Sequence, residues 1–349
     1  MNAEDALARA GEQGIHRMRI PTPFAVGRVN CYLIEDEPLT LLDTGPNSGK
    51  ALDELERQLE ARGHRIEDLE LLILSHQHID HLGLIEIIQA RSGAEVAAID
   101  VAVDRLRNFS EDAELDDEFA GALMRRHGIP DDVVTALRSV SRSFRAWGAH
   151  ANVTTPLRDG EPLGLRDRTL EVQHRPGHSP SDTLFWDSDR SILLAADHLI
   201  AHISSNPLLS RPLDGSTDRP RALMNYLASL RRTRELPVDL VLPGHGEPIT
   251  HHRALIDERL AMHGRRADKL HGLIAERSRS AYELAQAMWG NVAVTQAFLT
   301  LSEVVGHVDL LIDAGLVREL EAEDGTVRFE TTGTEGEIEL LAPVEVGRA

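Results

Sequence analysis

Residues 69–74 form an apolar run broken only by Glu70, and the run leads directly into Ser75-His76-Gln77-His78-Ile79-Asp80-His81-Leu82-Gly83. Three imidazoles and one carboxylate thus fall between positions 76 and 81, straight after what reads as a strand covered on both faces. Neutral imidazole and carboxylate are the usual protein ligands of Zn, Fe and Mn, and crowding them together with no cation would lose hydration for no gain. The cluster predicts a metal site at the C-terminal end of a strand, the edge where α/β sheets carry their ligands. A His-rich polar loop is the bland alternative. It does not explain why ligand-type residues recur downstream at or just after the ends of other apolar runs, as His178, Asp197 and His245.

The single cysteine, Cys31, lies in a β-rich run and reads as a buried structural thiol, so any metal must be held through nitrogen and oxygen. Acidic Met1-Asn2-Ala3-Glu4-Asp5 is unlike a secretory leader, and no apolar run reaches the ~18 residues of a membrane span. These features predict a cytoplasmic protein without membrane contact. A net charge of -20 opposes attraction to polyanions, which disfavours nucleic acid as a partner.

The order of segments predicts an α/β fold. After a polar lead-in over residues 1–14 come three short strands, at 16–20, 29–34 and 39–42, reading as a meander, then a helix over 48–62. A helix over 82–91 and a strand over 94–99 follow the histidine cluster. Residues 100–150 are rich in Asp, Glu and Arg with helical spacing interrupted at Gly128-Ile129-Pro130, and read as a helical insertion: either a cap on the site or a solvated hairpin. Strand signals return at 169–172, 183–186, 191–195 and 240–242, with a Pro/Ser-rich loop over 203–217 and a helix over 220–236. From residue 253 three helices and a hairpin suggest a winged-helix module, followed by an acidic tail over about 333–349. The expected division is a catalytic domain over 1–252 and a C-terminal domain over 253–349.

Four elements in order resemble the metallo-β-lactamase-fold hydrolase superfamily. His76-Gln77-His78-Ile79-Asp80-His81 matches its H-x-H-x-D-H signature, and Arg175-Pro176-Gly177-His178-Ser179 resembles its P-G-H-S element. Ala196-Asp197 and Pro243-Gly244-His245-Gly246 match the two that follow. The resemblance implies an αββα sandwich with a dinuclear centre of two divalent ions, Zn with Fe or Mn as alternatives. His76, His78 and His178 would hold one ion, Asp80, His81 and His245 the other, and Asp197 would bridge. Seven N/O ligands suit a pair of ions better than one tetrahedral ion. A metal-bridging hydroxide would then attack a carbonyl or phosphoryl centre, with Asp80 at the catalytic pole of the site. Asp43, in an Asp-Thr-Gly turn, would orient a ligand or merely shape the turn, and His202 is a candidate substrate contact.

The fold fixes the catalyst and not the substrate. The leading expectation is hydrolysis of a small-molecule ester, thioester or lactone. The alternatives are a phosphodiesterase or endoribonuclease of the lactamase-beta-2-like type, whose C-terminal module this tail resembles, and a non-catalytic metal-dependent sensor. The segment 253–349 carries a net charge of -7, which suits packing or subunit pairing in a homo-oligomer better than reading nucleic acid. Histidines 251, 252, 263 and 271, on or beside the long helix, are expected at the surface.

Overall fold

The computed structural model describes residues 1–340 except 214, 217, 335, 337 and 339, so most of the expected acidic tail lies outside the described residues. Two β-sheets face each other. In the first, strands run in sequence order: β1 (Ile15–Ile20), β2 (Val29–Ile34), β3 (Thr40–Leu42), β4 (Leu71–Ile73), β5 (Glu95–Ile99) and β6 (Thr155–Leu157). β1 to β3 form the antiparallel meander, and β4 to β6 add in parallel. Helix α1 (Ala3–Glu12) precedes β1, α2 (Gly49–Glu60) carries the β3–β4 crossover, and α3 (Ile79–Leu82) with α4 (Ile85–Ser92) carries the next one. Ser48 caps α2 by accepting from the Ala51 N–H, which explains why that helix starts where it does.

The second sheet has the order β11-β10-β9-β8-β7, with β7 (Pro162–Gly164), β8 (Thr169–His174), β9 (Thr183–Asp187), β10 (Ile192–Ala196) and β11 (Leu240–Pro243). Its apolar strands divide with period two. Val172, Phe185, Ile192, Leu194, Leu240 and Leu242 join the core shared with the first sheet. Leu184, Trp186, Leu193, Ala195 and Val241 turn outward against α8 (Ala222–Glu235) and α9 (His252–Glu276). Both faces of β9, β10 and β11 are therefore covered, and these strands read as near-continuous apolar runs. The result is a helix-flanked sandwich, as expected. Strands β6 and β7 escape a sequence reading because each is three residues long and contains a proline, and both lie at sheet edges, where a missing N–H is tolerated.

The insertion consists of α5 (Val103–Arg107), α6 (Phe109–Arg126) and α7 (Asp131–Phe144), turned at Gly128, whose φ of 87° suits glycine. It is not a free solvated hairpin. Met124, Ile129 and Val134 share a core with α10 (Ala281–Trp289), α12 (Ala297–Asp313) and the paired strands β13 (Val317–Glu321) and β14 (Val327–Thr331). A two-residue strand, β12 (Arg279–Ser280), extends that small sheet. The last of the three expected C-terminal helices is interrupted at Gln296, leaving α11 (Val292–Thr295) before α12.

Two of the helix histidines correct the surface expectation. His263 is fully buried between α9 and α12, where its Nδ1 faces His307 Nε2 at 3.1 Å, and His252 is 5 % exposed with Nε2 against the Leu236 carbonyl. The charged pattern of this helix predicts solvated histidines, but long α9 is covered on more than one side by its neighbours. Among the described residues no helix is long and apolar enough to cross a membrane.

Candidate metal centre

Each residue of the cluster is delivered by a strand end or a turn at one edge of the sandwich. β3 leads into Asp43, β4 runs on into Ser75, His76 and His78, and the short α3 carries Asp80 and His81. The turn between β8 and β9 supplies His178, β10 leads to Asp197, and β11 leads to His245. Two of these exits use backbone that L-residues rarely adopt: Asp43 has φ 60° and Ala196 has φ 41°. The β10–β11 register also shifts between Leu194 and Ala196, so a bulge and a strained residue together aim Asp197 inward.

The side chains converge in two groups. His76 Nε2 and His178 Nε2 lie 3.0 and 2.9 Å from His78 Nδ1. Asp80, His81 and His245 form the second group, with His245 Nε2 3.3 Å from Asp80 Oδ2. Asp197 stands between them, 3.5 Å from His81 Nε2, 3.6 Å from His178 Nε2 and 3.5 Å from His245 Nε2. Either group, or His76, His81 and Asp197 together, could hold a metal ion.

The outer hydrogen bonds fix which nitrogen of each ring carries the proton. His178 Nδ1 faces the Asn206 carbonyl at 3.0 Å, and His245 Nδ1 faces the Arg28 carbonyl at 2.9 Å, so both must donate there. His81 Nδ1 donates to Asp43 Oδ2 at 2.8 Å. The Ser75 hydroxyl gives its hydrogen to the same oxygen at 2.7 Å, which leaves Ser75 Oγ to accept from His76 Nδ1 at 3.0 Å. Four imidazoles thus turn an Nε2 lone pair inward.

That arrangement fits cations and little else. His81 Nε2, His245 Nε2 and Asp197 Oδ1 are buried without a hydrogen-bond partner, and each such atom costs about 1–3 kcal/mol in an apolar setting. Burial, with the neighbouring His178, holds His78 down to about 3, and burial with His81 and His78 holds His76 well below its ordinary value. Burial also lowers His81, but the carboxylates of Asp197, Asp43 and Asp80 outweigh it and hold that imidazole up. Negative charge is thus concentrated on the Asp80–Asp197 side, where a divalent ion would replace that proton.

Asp43 does more than shape a turn. It also accepts the Ser75 N–H at 2.9 Å, and it is 1 % exposed. Asp43→Asn keeps the volume but places an amide where two donors need an acceptor. Metal affinity measured by chelator competition should fall roughly 10- to 100-fold with the melting profile retained; unchanged affinity would show that Asp43 serves only the turn.

Other motif histidines take structural parts. His198 is buried with Nε2 at 2.9 Å from Thr233 Oγ1, and His174 Nε2 meets the Pro180 carbonyl. His202 is exposed, with its ring beside Gly246. Burial pushes the Cys31 thiol well up, consistent with an inert core residue. Sequence reasoning missed Ser75, Gln77 and Gly244. Gln77 Oε1 accepts from the hydroxyls of Ser179 and Ser181, which ties the His76–His81 segment to the His178 turn.

The family model for the metallo-beta-lactamase superfamily matches residues 25–245, a span that includes every one of the convergent side chains. The chain belongs to the metallo-beta-lactamase superfamily. It is 33 % identical over 334 residues to the probable metallo-hydrolase YqjP of Bacillus subtilis, covering 95 % of this chain and 99 % of that one. A human relative named acyl-coenzyme A thioesterase MBLAC2 is 28 % identical over 235 residues, 62 % of this chain and 73 % of its own. A solved beta-lactamase domain protein from Burkholderia ambifaria superposes with TM-score 0.78 at 25 % identity, covering 91 % and 92 % of the two chains. This metallo-beta-lactamase superfamily member is accordingly a metal-dependent hydrolase.

Proposed function

We propose that the protein is a dinuclear hydrolase of a carboxylic thioester, ester or lactone. His76, His78 and His178 would hold one divalent ion, Asp80, His81 and His245 a second, and Asp197 would join both. The observation that carries this reading is the convergence of four outward-anchored imidazoles and two buried carboxylates on one spot, with three of their atoms otherwise unpartnered. Two bound ions would supply a water deprotonated near neutral pH and Lewis-acid polarisation of the substrate's carbonyl oxygen. Zinc is the expected metal on ligand type, with Fe or Mn serving the same donors.

The chain's own residues supply alignment. Asp43 and Ser75 set the rings of His81 and His76 as a unit, so both groups share one rigid support. The Asn206 and Arg28 carbonyls do the same for the two distant histidines. His202, exposed beside the His245 turn, is the imidazole available to a bound substrate. The thioester preference draws support from the relative named a thioesterase. The C-terminal helices and hairpin are read as a winged-helix-type module whose role is packing on the insertion, in keeping with their common core.

The division of ligands has its own test. His178→Ala and His245→Ala should each lower the bound metal by about one equivalent, measured by atomic emission after gel filtration, with the fold preserved. Loss of both ions from either single change would mean that the partition is wrong.

A further inference from the structure

A cavity of about 440 Å³ lies away from the convergent histidines, between β1, the approach to β2, and α2. Arg17, Arg19, Arg28, Arg57 and Arg62 line it, with Glu54 as the one carboxylate in the wall. Five guanidinium groups around one hollow stand out in a chain of net charge -20.

Ordinary ion pairing accounts for only part of the set. Arg57 is paired with Glu54 at 2.7 Å, and Arg17 with Glu247 at 2.9 Å. Arg19 reaches Glu247 only at 3.9 Å. Arg28 and Arg62 have no acidic partner in an ion pair among the described residues. Backbone oxygen orients two of the five: Arg28 donates to the Arg19 carbonyl at 2.9 Å, and Arg17 to the Gly246 carbonyl at 3.0 Å. The carbonyl contact of Arg28 holds its guanidinium in place without neutralising it, which leaves that donor fork pre-organised for an incoming anion. The acidic remainder of the surface repels anions generally, so this hollow is where one can dwell.

We infer that this pocket binds a pyrophosphate-type anion. Planar forks match phosphate oxygens two at a time, and several forks spread over a strand and a helix suit two adjoining phosphates better than one. The volume lies within the usual range for small-molecule sites. The wall has Leu7 as its one aliphatic side chain, so it offers little to an acyl chain. Two of the lining residues also brace the turn that carries His245. Arg28 supplies the carbonyl that anchors His245, Val29 forms a β-bridge with His245, and Arg17 holds the Gly246 carbonyl.

The anion has two possible sources with the same chemistry: a free nucleoside diphosphate, or the diphosphate of a thiol carrier such as coenzyme A. The first experiment needs no turnover, so its failure is distinct from failure of the hydrolase reading. Calorimetry with ADP on the metal-loaded protein should show saturable, salt-sensitive binding that weakens roughly 10- to 100-fold in Arg28→Gln and in Arg62→Gln. Binding unchanged in both variants, binding lost only when the metals are stripped, or no binding at low salt would each overturn the proposal. The second experiment separates the sources by comparing one acyl group on coenzyme A and on N-acetylcysteamine. If the diphosphate belongs to the substrate, Arg62→Gln raises KM for the coenzyme A thioester and leaves the short thioester unchanged. If it is free, ADP binds while Arg62→Gln leaves KM for both thioesters unchanged.

Discussion

Asp197→Ala should lower thioester or lactone hydrolysis on the order of 10³-fold or more and remove most of the metal from both groups. Its carboxylate lies 3.6 Å from His178 Nε2 on one side and 3.5 Å from His81 Nε2 and His245 Nε2 on the other. Removing an outer partner costs roughly 10- to 100-fold, and a shared inner carboxylate carries more than that because it balances charge on both ions. Purified variant and parent would be compared by steady-state rates and by atomic emission. The fold should survive, because Asp197 lies at the site edge beyond β10 and the sandwich core is apolar. A variant that keeps two equivalents of metal would remove Asp197 from its place between the groups.

Gly244→Ala should be nearly as damaging to activity, by a steric route. A Cβ at that position would collide with Asp197 Oδ1 and would lie 2.9 Å from His81 Cε1 and 3.0 Å from the Ala196 carbonyl carbon. The backbone there is not left-handed, so glycine is needed for space and not for conformation. Neither the carboxylate nor the ring can step aside, since both are buried. Overpacking of this kind costs about 1–3 kcal/mol in stability, and a displacement near 1 Å at reacting groups can cost roughly 10²-fold in rate. The expected result is a modest loss in melting temperature with a loss of turnover of at least that size. Full activity in Gly244→Ala would mean that Asp197 has more freedom than its surroundings indicate.

Much of the site was legible because its side chains sit at strand ends, where an apolar run stops and a His or Asp follows. His76 to His81, Asp197 and His245 all obey that pattern, and His178 follows β8 after a short turn. What was not legible is the support. Asn206 and Arg28 act through backbone carbonyls, which every residue has, so no sequence signal marks them. Ser75 became meaningful only once its hydroxyl was seen between Asp43 and His76. The same limit governs the fold. The period-two division of β9, β10 and β11 between two apolar layers is hidden in sequence, since residues facing either layer are equally apolar. His263 looked solvated because the elements that bury it, α12 among them, come from later in the chain. The contact between the insertion and the C-terminal elements, through Met124, Val134 and Phe329, is long-range in the same sense.

The most direct test of the account is titration of metal-stripped protein with zinc, counting bound equivalents while following hydrolysis of a panel of acyl thioesters and lactones. The account predicts that activity rises to its plateau at two equivalents per chain and is abolished again by chelation. A plateau at one equivalent, or two tightly bound ions with no turnover across the panel beyond that of His78→Ala, would contradict it.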